Sequence, residues 1–66
     1  MHITLNGSPY ELEDRLSISQ FVKSLGYERK SIAIAADGKH IPRSEWDKRY
    51  VETDQSVEII APMQGG

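Results

Sequence analysis

The sequence predicts a two-layer α+β domain in which a mixed sheet of four to five strands is crossed by one main helix. Three observations carry this. Two short runs that alternate polar and apolar residues flank the dipeptide Asn6-Gly7, a strong tight-hairpin signal. A segment with helical periodicity follows, with start and stop signals at its ends. Two further alternating segments then come after it, the last ending at Pro62. A sheet and a helix each have one apolar face, and packing the two together is the economical way for a short chain to bury both.

The elements follow in order. His2-Ile3-Thr4-Leu5-Asn6 and Tyr10-Glu11-Leu12-Glu13 alternate, giving strands at about 2–6 and 9–13 with Ile3, Leu5, Tyr10 and Leu12 facing inward. Pro9 cannot donate to a ladder, so it begins its strand or lies on an open side. Ser17 and Gln20 have capping-box spacing, with Leu16 and Phe21 at the staple positions. Ile18, Phe21, Val22 and Leu25 mark one helical face over about two and a half turns. Gly26 is the left-handed stop, and Tyr27 folds back toward Val22.

Ser31 to Ala36 reads as a third strand with Ile32, Ile34 and Ala36 toward the core and Ala33 and Ala35 outward. Asp37-Gly38 is a second turn signal, and His40-Ile41 pairs briefly before Pro42 interrupts. Arg43 to Asp47 starts a short helical turn with Ser44 as its cap, and Trp46 covers one end of the core. After a polar turn at Thr53 to Ser56, the last strand runs from Val57 to Ala61, with Val57, Ile59 and Ala61 on one face and Ile60 on the other. The long connection through the helix permits a parallel pairing, which places the first and last strands side by side in the centre. The chain divides into a folded domain, 1–62, and a C-terminal tail, 63–66.

Composition narrows the function classes. Sixty-six residues make one domain. With no cysteine, there is no disulfide framework, thiolate metal site or cysteine nucleophile. The net charge is −2 with both signs scattered, so no basic block suits nucleic acid. Neither a signal peptide nor an apolar span is visible, and the expectation is a cytoplasmic protein. The two histidines, His2 and His40, sit on an outward strand phase and after a turn, where solvation is the expected state. Glu11, Glu13, Asp14 and Glu58 read as an ordinary solvated surface. No nucleophile triad order, phosphate-binding glycine loop or ligand-spaced cluster occurs, so no catalytic residue and no metal site is assigned, and the chain is expected not to be an enzyme.

What remains is the tail. Gln64-Gly65-Gly66 has little side chain to pack, and backbone without Cβ enters clefts closed to other residues. Met63 to Gly66, fully extended, reach about 13 Å at ~3.3 Å per residue. A free carboxylate on such a thread can be carried into another protein's active site. Ile60 has the outward phase beside the tail, and Pro62 and Met63 continue from it. A partner that grips the tail touches these three first.

Taken together, the Asn6-Gly7 hairpin, the segment Ile41-Pro42-Arg43-Ser44-Glu45-Trp46, the strand Val57-Glu58-Ile59-Ile60 and the terminal Gly65-Gly66 resemble the ThiS family, the sulfur carriers of thiamine biosynthesis. The Pro-Arg-Ser-x-Trp stretch is the discriminating part, since diglycine is shared by every ubiquitin-like carrier. One departure is Thr53-Asp54-Gln55, where family members often have Asp-Gly-Asp. Aspartate tolerates a left-handed turn less well than glycine, so the turn is expected to differ.

The resemblance implies a β-grasp, ubiquitin-like fold. It also implies sulfur held as a thiocarboxylate on Gly66, with Gly65 and Gln64 threading into the partner and Ile60, Pro62 and Met63 docking. The implied partners are a ThiF-like adenylyltransferase, a cysteine desulfurase or rhodanese-type sulfur donor, and thiazole synthase. No cofactor is bound by this chain; ATP and magnesium belong to the adenylyltransferase. Alternatives at this point are a carrier like the molybdopterin synthase small subunit, a ubiquitin-like protein modifier, and a plain interaction domain with an inert tail.

Overall fold

The structure, a computed structural model, describes residues 1–61. Five strands, β1 (His2–Leu5), β2 (Ser8–Glu11), β3 (Ala33–Ala36), β4 (Lys39–Ile41) and β5 (Ser56–Ile60), form one sheet of order β2-β1-β5-β3-β4. One helix, α1 (Ile18–Ser24), crosses it. The central pair β1–β5 is parallel, as the sequence predicts, and the other pairs are antiparallel.

Each hairpin turn is built from two left-handed residues. Asn6 and Gly7 have φ of 50° and 82°, and Asp37 and Gly38 have 51° and 81°. Positive φ at both central positions matches the twist of the flanking strands. Pro9 lies in the edge strand β2, opposite Thr4, where its missing N–H breaks no second ladder.

The helix ends follow the sequence closely. Gln20 N donates to Ser17 Oγ at 3.1 Å, and Ser17 N donates to Gln20 Oε1 at 3.0 Å. At the other end, Gly26 at φ 86° donates to the Lys23 carbonyl, and Tyr27 N–H donates to that of Val22. That paired closure satisfies carbonyls the last turn leaves open. The helix is seven residues long, two turns rather than two and a half.

The core comprises Ile3, Leu12, Ile18, Phe21, Val22, Ile32, Ile34, Ala36, Ile41, Trp46, Val51, Val57 and Ile59. Tyr10 adds an edge-to-face contact with Phe21, ring centroids 5.9 Å apart. Trp46 is fully buried and does more than cover one end: its Nε1 donates to the Ile41 carbonyl at 2.9 Å, so the indole satisfies its polar edge.

Four local expectations are corrected. The third strand begins at Ala33, because residues 29–31 form a 3-10 turn that brings Ile32 down onto the core. Strand β2 is 8–11, with Leu12 buried just beyond it. Ser44 is not a cap: the 3-10 turn Arg43–Glu45 starts after Pro42 and has no side-chain cap bond. Ala61 is exposed rather than inward, since the pairing of β5 ends at Ile60 opposite Ala33.

Candidate functional site

The strand that leads into the tail lies between β1 and β3, in the middle of the sheet. Both hairpin turns reinforce it. Asn6 N donates to the Val57 carbonyl at 2.9 Å, and Ile59 N donates to Asn6 Oδ1 at 2.8 Å. On the opposite side Asp37 N donates to the Ser56 carbonyl at 2.7 Å, and Ser56 N donates to Asp37 Oδ1 at 2.9 Å. Two turn side chains thus extend the ladders on either flank of β5. The sequence signals Asn6 and Asp37 as turn formers; it does not signal these bonds, which in the case of Asn6 span 53 positions.

Ile60 is the last paired residue of β5 and is 55% exposed on the outward face, as its phase predicts. Beside it a groove of about 200 Å³ is lined by Lys30, Ser31, Ile32, Ala33, Arg43 and Ile60. The Arg43 guanidinium is fixed there: Nε donates to the Arg29 carbonyl at 2.8 Å and Nη2 to the Lys30 carbonyl at 3.4 Å. Arg29 returns the bond, its Nη2 donating to the Arg43 carbonyl at 3.0 Å. The Arg29 guanidinium also lies over the Trp46 ring, 5.5 Å from its centroid. The Pro-Arg-Ser-x-Trp stretch therefore clasps the turn at 29–31, beside the C-terminal end of β5. The sequence reading did not single out Lys30 or Arg43 as surface groups, because neither is near Ile60 in the chain.

Of the other site residues, Pro62 and Met63 (docking), Gln64 and Gly65 (threading) and Gly66 (sulfur attachment) lie outside the described residues. His2 is exposed, with Nδ1 2.6 Å from Glu11 Oε1, while His40 is exposed on edge strand β4, opposite Ala35. Glu11 also takes the N-terminal ammonium at 2.9 Å, and that bond foremost holds its carboxyl below the usual range. Glu58 stands apart from it, opposite Ala35 on β3. Among the described residues no group of three or more His, Cys, Asp or Glu side chains could hold a metal, and no helix is long and apolar enough to cross a membrane.

A mixed sheet of this order holding a single helix across one face defines the β-grasp, or ubiquitin-like, class. The crystal structure and the solution structure of the thiamine biosynthesis protein ThiS from Geobacter metallireducens both superpose with a TM-score of 0.85 at 23% identity. They cover all of this chain, and 100% and 88% of their own. The uncharacterized protein ycf40 of Porphyra purpurea is 28% identical over 64 residues, 97% of this chain and 90% of that one. A sequence model of the ThiS family matches residues 3–66, and the chain belongs to that family of sulfur carriers in thiamine biosynthesis.

Proposed function

We propose that this chain carries sulfur as a thiocarboxylate on Gly66 and delivers it for thiazole formation. The observation that supports the reading most is the family match reaching Gly66, combined with a central strand that ends at an exposed Ile60 six residues before the match ends. The tail then hangs from the best-anchored strand of the sheet, so a partner holding the domain at Ile60 has a fixed origin from which to receive it.

The chemistry suits a chain without cysteine. A carboxylate resists nucleophiles because of its charge. A ThiF-like adenylyltransferase, using ATP and magnesium, joins the Gly66 carboxylate to the α-phosphate and releases pyrophosphate. The acyl-adenylate has a good leaving group. The terminal sulfur of a persulfide, formed by a cysteine desulfurase or rhodanese-type donor, attacks the acyl carbon and AMP departs. A thiol then cleaves the sulfur–sulfur bond, supplying the two electrons and leaving the donor side as a disulfide. The free thiocarboxylate passes its sulfur to thiazole synthase. In this reading the chain contributes no catalytic group: Ile60, Pro62 and Met63 dock, Gln64 and Gly65 thread, and Gly66 carries the cargo.

The test is intact mass after incubation with ATP, the adenylyltransferase and a sulfur donor. The wild-type chain gains the mass of one oxygen replaced by sulfur. Deleting Gly66 leaves the melting curve unchanged and abolishes the gain, because the new carboxylate stops roughly 3.5 Å short and misplacement by about 1 Å already costs about a hundredfold in rate. Ile60→Asp or Met63→Asp leaves the domain folded but weakens binding to the adenylyltransferase. Full sulfur loading of the Gly66 deletion would remove Gly66 as the attachment site.

A further inference from the structure

We propose that the groove beside Ile60 seats a segment of the adenylating partner that presents a carboxylate next to an apolar side chain. This rests on the carrier reading above and gives the partner surface its chemistry.

Position comes first. Ile60 pairs with Ala33 at the end of the β3–β5 ladder, and the chain leaves the sheet there. A protein that binds at the end of β5 is within reach of this groove, which Ile60 lines. Its floor is apolar, made by buried Ile32, half-buried Ala33 and the exposed side chain of Ile60. Its rim is basic, made by exposed Lys30 and Arg43, and none of the lining residues is acidic. The whole chain carries a net charge of −2, so this is a local reversal of sign. The outward acid on β5, Glu58, stands opposite Ala35 and does not line the groove.

The rim is also prepared for an anion. Arg15, Arg29 and Arg49 are each engaged with a carboxylate, of Glu52, Asp47 and Glu45. Arg43 is different: it spends Nε and Nη2 on backbone carbonyls and has no carboxylate partner among the described residues, and neither has Lys30. Those carbonyl bonds hold the guanidinium still, so an incoming carboxylate meets a group already ordered. An apolar anchor on Ile60 would exclude water from the pair, and the charges would steer approach.

The experiment uses the full chain with the ThiF-like adenylyltransferase of the same organism. Carrier-dependent pyrophosphate release is measured against carrier concentration at several salt concentrations. Replacing Arg43 removes two backbone bonds, so Lys30 carries the test. Lys30→Glu is expected to raise KM for the carrier about tenfold and Lys30→Gln about threefold, with kcat unchanged and a flatter salt dependence. Lys23→Glu, on α1 and outside this groove, stays within about twofold of wild type. A KM for Lys30→Glu within twofold of wild type at low salt overturns the groove while leaving the carrier reading standing. Wild-type chain that supports no pyrophosphate release overturns the carrier reading and the groove with it. Concentration-dependent self-association of the wild type that Lys30→Glu abolishes would assign the groove to a second copy, against the proposal.

Discussion

Replacing Asn6 separates two contributions that the native residue combines. Its backbone sits at φ 50°, and its Oδ1 accepts the Ile59 N–H at 2.8 Å in a half-buried setting. Asn6→Gly keeps the left-handed turn and removes the acceptor. A buried donor left without a partner costs about 1–3 kcal/mol, and glycine's extra freedom in the unfolded chain adds about 0.5 kcal/mol. Asn6→Ala also loses the acceptor, and alanine lacks the short polar side chain that lets asparagine tolerate a left-handed backbone, which adds about 1 kcal/mol, for a total of about 2–4 kcal/mol. Asn6→Asp keeps both features and should stay within about 0.5 kcal/mol of wild type. At roughly 0.05–0.15 kcal/mol per residue, a chain of this size has a total stability of only about 3–10 kcal/mol. The alanine variant is thus expected to melt about 8 °C or more below wild type, at about 4–8 °C per kcal/mol. Urea and thermal unfolding followed by far-UV circular dichroism read all three. Asn6→Gly unfolding at the wild-type midpoint would show that the Ile59 bond contributes nothing, and the account of how β5 is anchored would fall.

Two further outcomes are expected. Ser17→Ala should cost about 1 kcal/mol, the usual loss for a serine cap, while Ser17→Thr should largely retain stability; equal melting of wild type and the alanine variant would show that the capping box is idle. Acid should destabilise the domain in part through Glu11, whose carboxyl is held below its ordinary 4.5 foremost by the bond from the N-terminal ammonium and also by His2. The folded value lies below the unfolded one, so the contribution is complete above about 4.5 and is lost as pH falls through the folded value. Glu11→Gln should therefore flatten the acid limb of a urea-midpoint profile, and an unchanged limb would rule Glu11 out as its source.

The parts of the fold that were legible in the sequence are those set by neighbours in the chain. The Ser17–Gln20 box, the Gly26 stop and both two-residue turns depend on residues within a few positions of each other, and the structure has them. Strand phase was legible for the same reason: alternation alone put Val57 and Ile59 inside and Ile60 outside. Errors arose where a neighbouring proline or the edge of the sheet decided, or where a distant contact did. Ser44 has the chemistry of a cap, but Pro42 already sets the extended entry to that turn at φ −62° and ψ 145°. Ala61 continues the alternation but has no strand beside it to hold its phase. Val51 was not singled out at all. It stands between polar residues, and it is buried because its N–H donates to the Leu16 carbonyl, which draws the segment back against the start of α1. Asp54, where the family often has glycine, takes the left-handed φ of 62° and donates its N–H to the His2 carbonyl at 2.6 Å, a bond between backbone groups alone.

The same distinction explains why the site was only half visible. A carrier tail needs no packing partner, so its signal is local, and Gly65-Gly66 can be read straight from the chain. The groove proposed for docking is assembled from three separate segments, residues 30–33, Arg43 and Ile60. Of that set only Ile60 stands out in the chain, because it takes the outward phase of an alternating strand beside the tail, while a lysine or arginine in a loop breaks no pattern. What gives the basic residues meaning is the clasp between Arg29 and Arg43, each guanidinium donating to the other's carbonyl. It places an ordered cation beside the C-terminal end of β5. The two turn side chains from Asn6 and Asp37 hold that strand from its flanks. In the proposed carrier reading, anchoring and docking then belong to one arrangement: a strand fixed on both sides lets the domain hold its place when a partner takes the end of β5.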